Sequence, residues 1–432
     1  MPTNNIRHKS LRLRIYPNKS QEILINKTFG CCRLIYNLHL DERLKFYENN
    51  NLKNIKDKNE RIKILKTFKP KTEKEWKVEY PFMKDISAQA LQCSRINCDN
   101  AFNNFFSKRT KFPKFKSKKN NHQSYRECMV KLEHLNFDVQ RIKIPKLKTV
   151  VFRNKPKPKW YSQIKELKSI TVEKTPSGKY FVSCLFEIEH ETYKVENRED
   201  SIGLDFSPSE CYVDSNGNTG KDFGYVAQKQ KNIKTLRKYQ RQLARKTKGS
   251  NNYRKARIKL SRVEEYIANS RRDWIEKETL RLVTSYDKVV VEDLNLKGIS
   301  SFLRNAKNMN DTSWGTFVLR LQAKGQDYNC SVIKADRWFP SSQLCSNCSY
   351  QYHELKLSER EWNCPICHKH HIRDVNAAIN LKNYVPQELR ESMPVEDIES
   401  ASDLVSEALE YPVKQEADNL NVVGGSEQFQ PI

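Results

Sequence analysis

Apolar and polar residues first alternate between His8 and Tyr16, HKSLRLRIY, where Leu11, Leu13 and Ile15 interleave with Arg12 and Arg14. A two-residue period predicts a half-buried strand, here with a cationic outer face. Pro17-Asn18 ends it. From Ser20, the placing of Ile23, Leu24, Phe29, Leu34, Ile35 and Leu38 predicts a helix turned towards a core. Residues 49–77 are polar and lysine-rich, a helical hairpin arm or a loop. Ser87 then offers an N-cap. Leu91, Cys98, Phe102 and Phe105, at spacings of 7, 4 and 3, share one face of a second helix.

Strand patterns return from Val130 in KLEHL, RIKIPKL and KTVVF, then in SITVEK and KYFVSCLFEIE around the turn residues Thr175-Pro176-Ser177-Gly178. The opening strand has no partner near it in sequence, so it is expected to pair here. The result would be a small β-barrel interrupted by a helical insertion. Near Asp200, DSIGLDF and ECYVDSNGN predict a hairpin ending in Asn216-Gly217. Two helical seams follow, Ile233, Leu236 and Leu243, then Tyr253, Ala256, Leu260, Val263, Ile267 and Trp274. Lys248-Gly249-Ser250 splits them into an antiparallel pair. The nearly continuous apolar run in DKVVVEDL predicts a buried strand, Ser313 to Tyr328 an amphipathic helix, and CSVIKAD a further strand. The apolar period is lost from Val385, where 11 Asp+Glu against two Lys+Arg predict a disordered acidic tail.

Charge sharpens this picture. The 432 residues carry 78 Lys+Arg and 52 Asp+Glu, a formal +26, and the tail's −9 leaves +35 on residues 1–384. Such an excess points to a polyanionic partner, nucleic acid. It is concentrated: Lys229 to Arg262 holds 14 basic residues and no acid. Arg237, Lys238, Arg241 and Arg245 lie in that stretch. A second patch, Lys108, Arg109, Lys111, Lys114, Lys116, Lys118 and Lys119, is interleaved with Phe112 and Phe115, which could stack on unpaired bases. Hydrophobic residues at 37% and aromatics at 10% exclude wholesale disorder, and no apolar run nears the ~20 residues of a membrane helix. Met1 to Ser10 shows no apolar signal core, so a cytoplasmic protein, nucleoid-associated when on DNA, is expected.

Of twelve cysteines, eight are scattered through apolar patterns and read as buried free thiols. Cys345, Cys348, Cys364 and Cys367 differ. Their C-x2-C-x15-C-x2-C spacing presents four thiolates to one Zn²⁺, a closed structural site. The intervening HELKLSEREWN would supply a short strand pair. His368, His370 and His371 lie close by and could replace one Cys, but with four cysteines sufficing they are expected to face solvent or nucleic acid.

Three acidic residues share a pattern. Asp205 ends a first strand, Glu292 ends VVVED, and Asp374 opens RDVNAAINLKN, whose Ala377, Ala378 and Leu381 predict a helix packed tightly on something flat. In a ribonuclease-H-like fold such carboxylates converge and hold two Mg²⁺ that activate water against a phosphodiester.

GLDFSPSECYVDSNG, VVVEDLNLKGI, RWFPSSQLCSNC and RDVNAAINL, in this order, resemble the RuvC-like nuclease and zinc-ribbon half of the TnpB family of insertion sequences. YPNKSQEILINKTFGCCRLIYN and FPKFKSKK resemble it too, so the likeness runs from about Leu11 to Tyr384. The resemblance implies an RNA-guided DNA endonuclease, related to type V CRISPR effectors, that cuts double-stranded DNA beside a short transposon-adjacent motif using a guide RNA from the transposon end. Asp205, Glu292 and Asp374 would be the catalytic magnesium ligands. The implied fold is an α+β multidomain chain. A β-barrel (wedge) domain, 1–17 and 130–197, surrounds a helical recognition insertion, 18–129. A RuvC-like α/β nuclease domain, 198–336 and 371–384, surrounds a zinc ribbon, 337–370, and an acidic tail, 385–432, follows. The sequence departs from the family's pattern at Ile372, where many members have Asp, and at Ser349, where Gly is frequent. An RNA-guided repressor with a silent site, or a junction nuclease without RNA, would share parts of this chain. The intact triad argues against the first, and the helical insertion and basic patches exceed what the second needs.

Overall fold

The computed structural model describes residues 6–119, 122–128, 130–153, 157–189, 192–295, 311–356 and 358–386. All but the start of the acidic tail lies outside them. The chain divides into two compact units, Met1–Glu191 with Lys234–Tyr266, and Thr192–Ile233 with Ile267–Ile432.

The first unit is built on one antiparallel seven-stranded sheet. β1 (Ile6–Tyr16) runs along β7 (Tyr180–Glu189), Ile6 opposite Glu189 through Ile15 opposite Tyr180. The strand order is completed by β2 (Gln123–Glu127) and β6 (Ile164–Lys174) on one side. On the other lie β5 (Lys148–Phe152), β4 (Arg141–Ile144) and β3 (Leu135–Asn136). Leu11, Leu13 and Ile15 are buried, with Val182, Cys184 and Phe186, as their alternation requires. The outward Arg12 pairs with Glu173 and lies 3.8 Å over the Phe181 ring.

α1 (Lys19–Asn49) starts at a capping box in which the Asn18 side chain accepts from the Gln21 N–H at 2.9 Å and Gln21 accepts from the Asn18 N–H at 3.0 Å. The 49–77 segment holds two short helices, α2 (Lys58–Leu65) and α3 (Glu73–Glu79). α4 (Ala88–Phe106) buries Leu91, Cys98 and Phe102. β2 lies within the stretch that the periodicity assigned to helices. Its only inward apolar residue is Tyr125, because the next inward position is Glu127.

Glu127 is almost wholly buried; Ser87 donates to its Oε2 at 2.9 Å, and Oε1 has no partner among the described residues. Burial lifts its pKa from 4.5 to about 7. The folded carboxyl therefore stays protonated up to about pH 7 while the unfolded one ionises near 4.5, so stability falls as pH rises through that window. The loss is about 3 kcal/mol, complete above pH 7. Urea denaturation of the full chain and of Glu127→Gln should give matching stabilities at pH 4 and a gap of that order, favouring Gln, at pH 8.

The second unit centres on a four-stranded sheet of β8 (Glu199–Ser207), β9 (Cys211–Asp214), β10 (Tyr286–Glu292) and β11 (Ser331–Ala335), ordered β11-β10-β8-β9. β10 is parallel to both β8 and β11, while β9 returns antiparallel to β8. Ile202, Leu204, Val289 and Val291 meet Phe317, Val318 and Leu321 of a further helix, Trp314–Tyr328, in its core.

Between β9 and β10 the chain is helical: α5 (Gln228–Lys231), α6 (Ile233–Ala244) and α7 (Asn251–Ser285), broken at Gly249 with φ +89°. The helix Trp314–Tyr328 is α8, and α9 (Arg373–Lys382) closes the unit. Seven scattered cysteines are buried, as expected for free thiols; Cys128 is exposed, its sulfur 3.1 Å from that of Cys93. Among the described residues no helix is long and apolar enough to cross a membrane.

Candidate active site and metal centre

Asp205 follows the buried Leu204 on β8, directly across from Val213 of β9. Glu292 is the last residue of β10, and parallel pairing carries both strands to the same end of the sheet. Asp374 stands in the first turn of α9, which packs across β8 and β10. Three elements thus bring three half-buried carboxylates together. Asp205 and Glu292 share a hydrogen bond, and both feel the charge of Asp374.

The electrostatic result is crowding. Burial, then the charges of Glu292 and Asp374, hold the Asp205 carboxyl well above the usual carboxylate range. Burial also raises Glu292, against the pull of the Ser341 hydroxyl, which donates to its Oε1 at 2.8 Å. Arg373 lowers both, and Arg360 approaches Asp374 at 3.5 Å. An oxygen-rich donor set with a deficit of positive charge suits hard divalent cations such as Mg²⁺.

α9 earns its place by two faces. Ala377, Ala378 and Leu381 are buried, and small side chains let the helix backbone come down on β8 at Gly203, where an added Cβ would lie 2.0 Å from the Ala378 carbonyl oxygen. The other face carries Asn376 and Asn380, one turn apart. Asn376 accepts from the Ser346 N–H at 2.9 Å and donates to the Leu344 carbonyl at 2.6 Å; Asn380 donates to the carbonyls of Ser341 and Leu344. The two amides tie the helix of Asp374 to the loop that holds Ser341 and leads into Cys345. Sequence reasoning missed them. The signal was two asparagines at i, i+4 on a face otherwise apolar.

The ligand atoms of Cys345, Cys348, Cys364 and Cys367 all lie within 4.8 Å of one another. Four convergent sulfurs suit Zn²⁺ better than an oxygen-seeking ion. Each Cys-x-x-Cys closes on the same turn. The Ser349 N–H donates to the Cys345 carbonyl at 2.8 Å and the His368 N–H to that of Cys364 at 2.9 Å. Ser349 and His368 are both left-handed, φ +60° and +56°. Glycine would hold that conformation at no cost.

The strand pair joins β12 (Glu361–Asn363) to β13 (His370–Ile372), so only one of its strands comes from HELKLSEREWN. His371 corrects the expectation that the histidines face outward. It is buried against the Trp362 ring, with Nε2 3.0 Å from the Cys345 sulfur. Placed there, its ring can donate to a thiolate and orient it. His368 and His370 are exposed.

Lys108, Arg109, Lys111, Lys114, Lys118 and Lys119 are exposed, as are Arg237, Lys238, Arg241 and Arg245 on α6 and just beyond it. Lys116 is exposed in part but turned inward. Its Nζ lies 3.9 Å over the Tyr36 ring, its backbone is bracketed by the Asn37 amide, and burial lowers its pKa. Phe112 and Phe115 are both exposed; Phe112 also packs edge-on against Phe102 and Phe105.

Three family models match the chain: "Probable transposase" of the OrfB_IS605 type over residues 183–302, "Cas12f1-like, TNB domain" over 314–381, and "Helix-turn-helix domain" over 4–51. A "Putative RNA-guided DNA endonuclease" of Streptomyces pristinaespiralis is 30% identical over 373 residues, covering 86% of this chain and 88% of that protein. The "Putative RNA-guided DNA endonuclease InsQ" of Escherichia coli strain K12 is 30% identical over 390 residues, covering 87% and 92%. "TnpB-like protein L79" of Acanthamoeba polyphaga mimivirus is 28% identical over 128 residues, covering 28% and 24%.

Proposed function

This chain belongs to the TnpB family, and from that membership we propose that it is an RNA-guided DNA endonuclease. It would cut double-stranded DNA beside a short transposon-adjacent motif by metal-dependent phosphodiester hydrolysis. The observation that carries the reading is the convergence of Asp205, Glu292 and Asp374 from β8, β10 and α9. The four-stranded mixed sheet with α9 corresponds to the RuvC-like nuclease domain, the seven-stranded sheet to the wedge barrel, and the helices from α1 to α4 to the recognition insertion. The domain limits proposed on this reading are 1–17, 18–129, 130–197, 198–336, 337–370 and 371–384, with the tail at 385–432, although β2 within 18–129 pairs with β6 of the seven-stranded sheet and Lys234–Tyr266 groups with the first unit.

Asp205, Glu292 and Asp374 would hold two Mg²⁺, and Cys345, Cys348, Cys364 and Cys367 a structural Zn²⁺. Bound Mg²⁺ supplies a low-pKa water and charge stabilisation for the leaving oxygen. The chain's own part is positional. Ser341 fixes the Glu292 carboxylate, and the Asn376 and Asn380 amides hold the helix of Asp374 against the same loop. The negative charge of the acidic cluster opposes the approach of an anionic phosphodiester, and bound Mg²⁺ would offset it. The exposed cations at 108–119 and on α6 would grip the backbone of a guide–target duplex, whose sequence is read by base pairing.

The test is direct. The full chain, co-expressed with its flanking transcript, is incubated with matching linear DNA and Mg²⁺. Cutting that requires both the RNA and the metal is expected. Protein that carries no RNA, or cutting that ignores the guide, would overturn the reading.

A further inference from the structure

Trp338 is 85% exposed, the most exposed large apolar side chain among the described residues. A single apolar residue in water is ordinary. This one differs in how its backbone is held and in where it stands. The Trp338 N–H donates to Asp336 Oδ1 at 2.8 Å, and the Phe339 N–H to the Asp336 carbonyl at 3.1 Å. Asp336 donates its own N–H to the Tyr384 hydroxyl at 3.1 Å, and Phe339 packs on the Tyr384 ring at 4.9 Å. Arg337 is paired with Asp293 at 2.9 Å. Both flanks of the tryptophan are therefore anchored while its ring makes no hydrogen bond or ring contact among the described residues.

The same loop ends at Ser341, whose hydroxyl holds Glu292. Three residues of extended chain span at most about 10 Å, so the indole stands within one to three nucleotides of a phosphodiester seated at the carboxylates. A large π face on a braced loop loses little conformational entropy on binding, and any unpaired base can stack on it. A paired base, stacked inside a duplex, presents no free face.

We propose that Trp338 forms a stacking subsite for an unpaired nucleobase of the DNA strand presented to Asp205, Glu292 and Asp374. This rests on the nuclease reading of that site and adds a preference. The strand to be cut is engaged single-stranded, with one base parked on the indole and its neighbouring phosphate at the carboxylates. Trp338 is a positioning residue: it touches the substrate's base and leaves the chemistry to the acidic residues.

The test uses the full chain as purified with its RNA, bearing Asp205→Asn to prevent cutting. The probe is a single-stranded DNA 12-mer carrying one 5-iododeoxyuridine, compared with the same strand annealed to its complement. Irradiation should cross-link the single strand to the peptide containing Trp338 and leave the duplex largely uncoupled. Adding unmodified 12-mer should quench a solvent-exposed tryptophan emission that Trp338→Phe lacks.

Trp338→Ala should weaken single-strand binding about tenfold, the scale of one lost base stack, and Trp338→Phe should restore most of it. Both variants should melt where the parent does. Cross-links confined to other peptides, equal yields from duplex and single strand, or unchanged affinity in Trp338→Ala would each overturn the proposal. These outcomes are separable from failure of the nuclease reading. A chain that cuts with its guide but shows no Trp338 cross-link loses only the subsite. One that cross-links there but never cuts loses only the nuclease assignment.

Discussion

Asp205→Asn should abolish guided cleavage, by a factor of about a thousand or more, while the protein keeps its RNA and melts at a higher temperature in EDTA than the parent. The catalytic loss follows from geometry. Asp205 is the middle of the carboxylate group, sharing a hydrogen bond with Glu292 and facing the charge of Asp374. Losing metal-borne charge stabilisation of several kcal/mol, at about 1.4 kcal/mol per tenfold, gives that factor.

The gain in stability has a separate cause. Burial and two neighbouring negative charges oppose ionisation of Asp205 in the fold, so without metal the native state is penalised at neutral pH. An amide of the same shape removes the penalty. Because the folded pKa is raised, the advantage of Asn should shrink as pH falls and disappear once the carboxyl is protonated in both states. Mg²⁺ should stabilise the parent more than the variant. A variant that cuts at parental rate would show that the triad is misassigned.

The cluster of four cysteines was legible in the sequence because its spacing is rigid. Two Cys-x-x-Cys pairs can be read without a fold, since four thiolates need little else to converge. The partner of β1 was also legible: an 11-residue strand with no neighbour for a hundred residues must reach the next strand-rich segment, and it lies along β7. β2 escaped for the opposite reason. Its inward positions are Tyr125 and Glu127, and a buried acid reads as a surface residue in any hydropathy pattern. His371 escaped because nothing in HKHHI marks which imidazole turns inward; that is set by β13 pairing with β12 over Trp362. Asn376 and Asn380 escaped because amides are informative only once their partners, the carbonyls of Ser341 and Leu344, are known. What sequence supplies well is donor type and spacing; what it hides is the polar bracing that fixes the donors in place.

Gly203→Ala tests that bracing with the opposite thermal signature. The sequence shows Gly203 only as the third residue of SIGLDF, and no turn or positive φ demands glycine there. The demand comes from packing. A Cβ at this position would lie 2.0 Å from the Ala378 carbonyl oxygen and 2.5 Å from the Lys382 backbone nitrogen. Both obstacles are main-chain atoms of α9, so no rotamer change relieves them.

Restoring ordinary contact needs a shift of more than 1 Å between β8 and α9. β8 is held on both sides, by β10 and β9, so the helix must yield. It cannot yield freely, because Asn376 and Asn380 fasten it to the 341–346 loop. Either those hydrogen bonds stretch or the loop moves with the helix, dislodging Ser341 from Glu292. Asp374, one turn from Ala378 on the same helix, is displaced in both cases.

A misplacement of about 1 Å costs on the order of a hundredfold in rate, and overpacking of this kind costs about 1–3 kcal/mol. Gly203→Ala should therefore cut about a hundredfold more slowly and melt lower, where Asp205→Asn melts higher. Adding Ala378→Gly should not rescue it, since the clash is with a carbonyl oxygen that every residue carries. Gly30→Ala in α1, whose Cβ would meet only the far end of Arg33 at 4.0 Å, serves as the control: it should keep the parental rate and melt no lower, since alanine suits a helix interior better than glycine. Parental rate and melting temperature in Gly203→Ala would mean that α9 does not sit on β8 as closely as its buried alanines require.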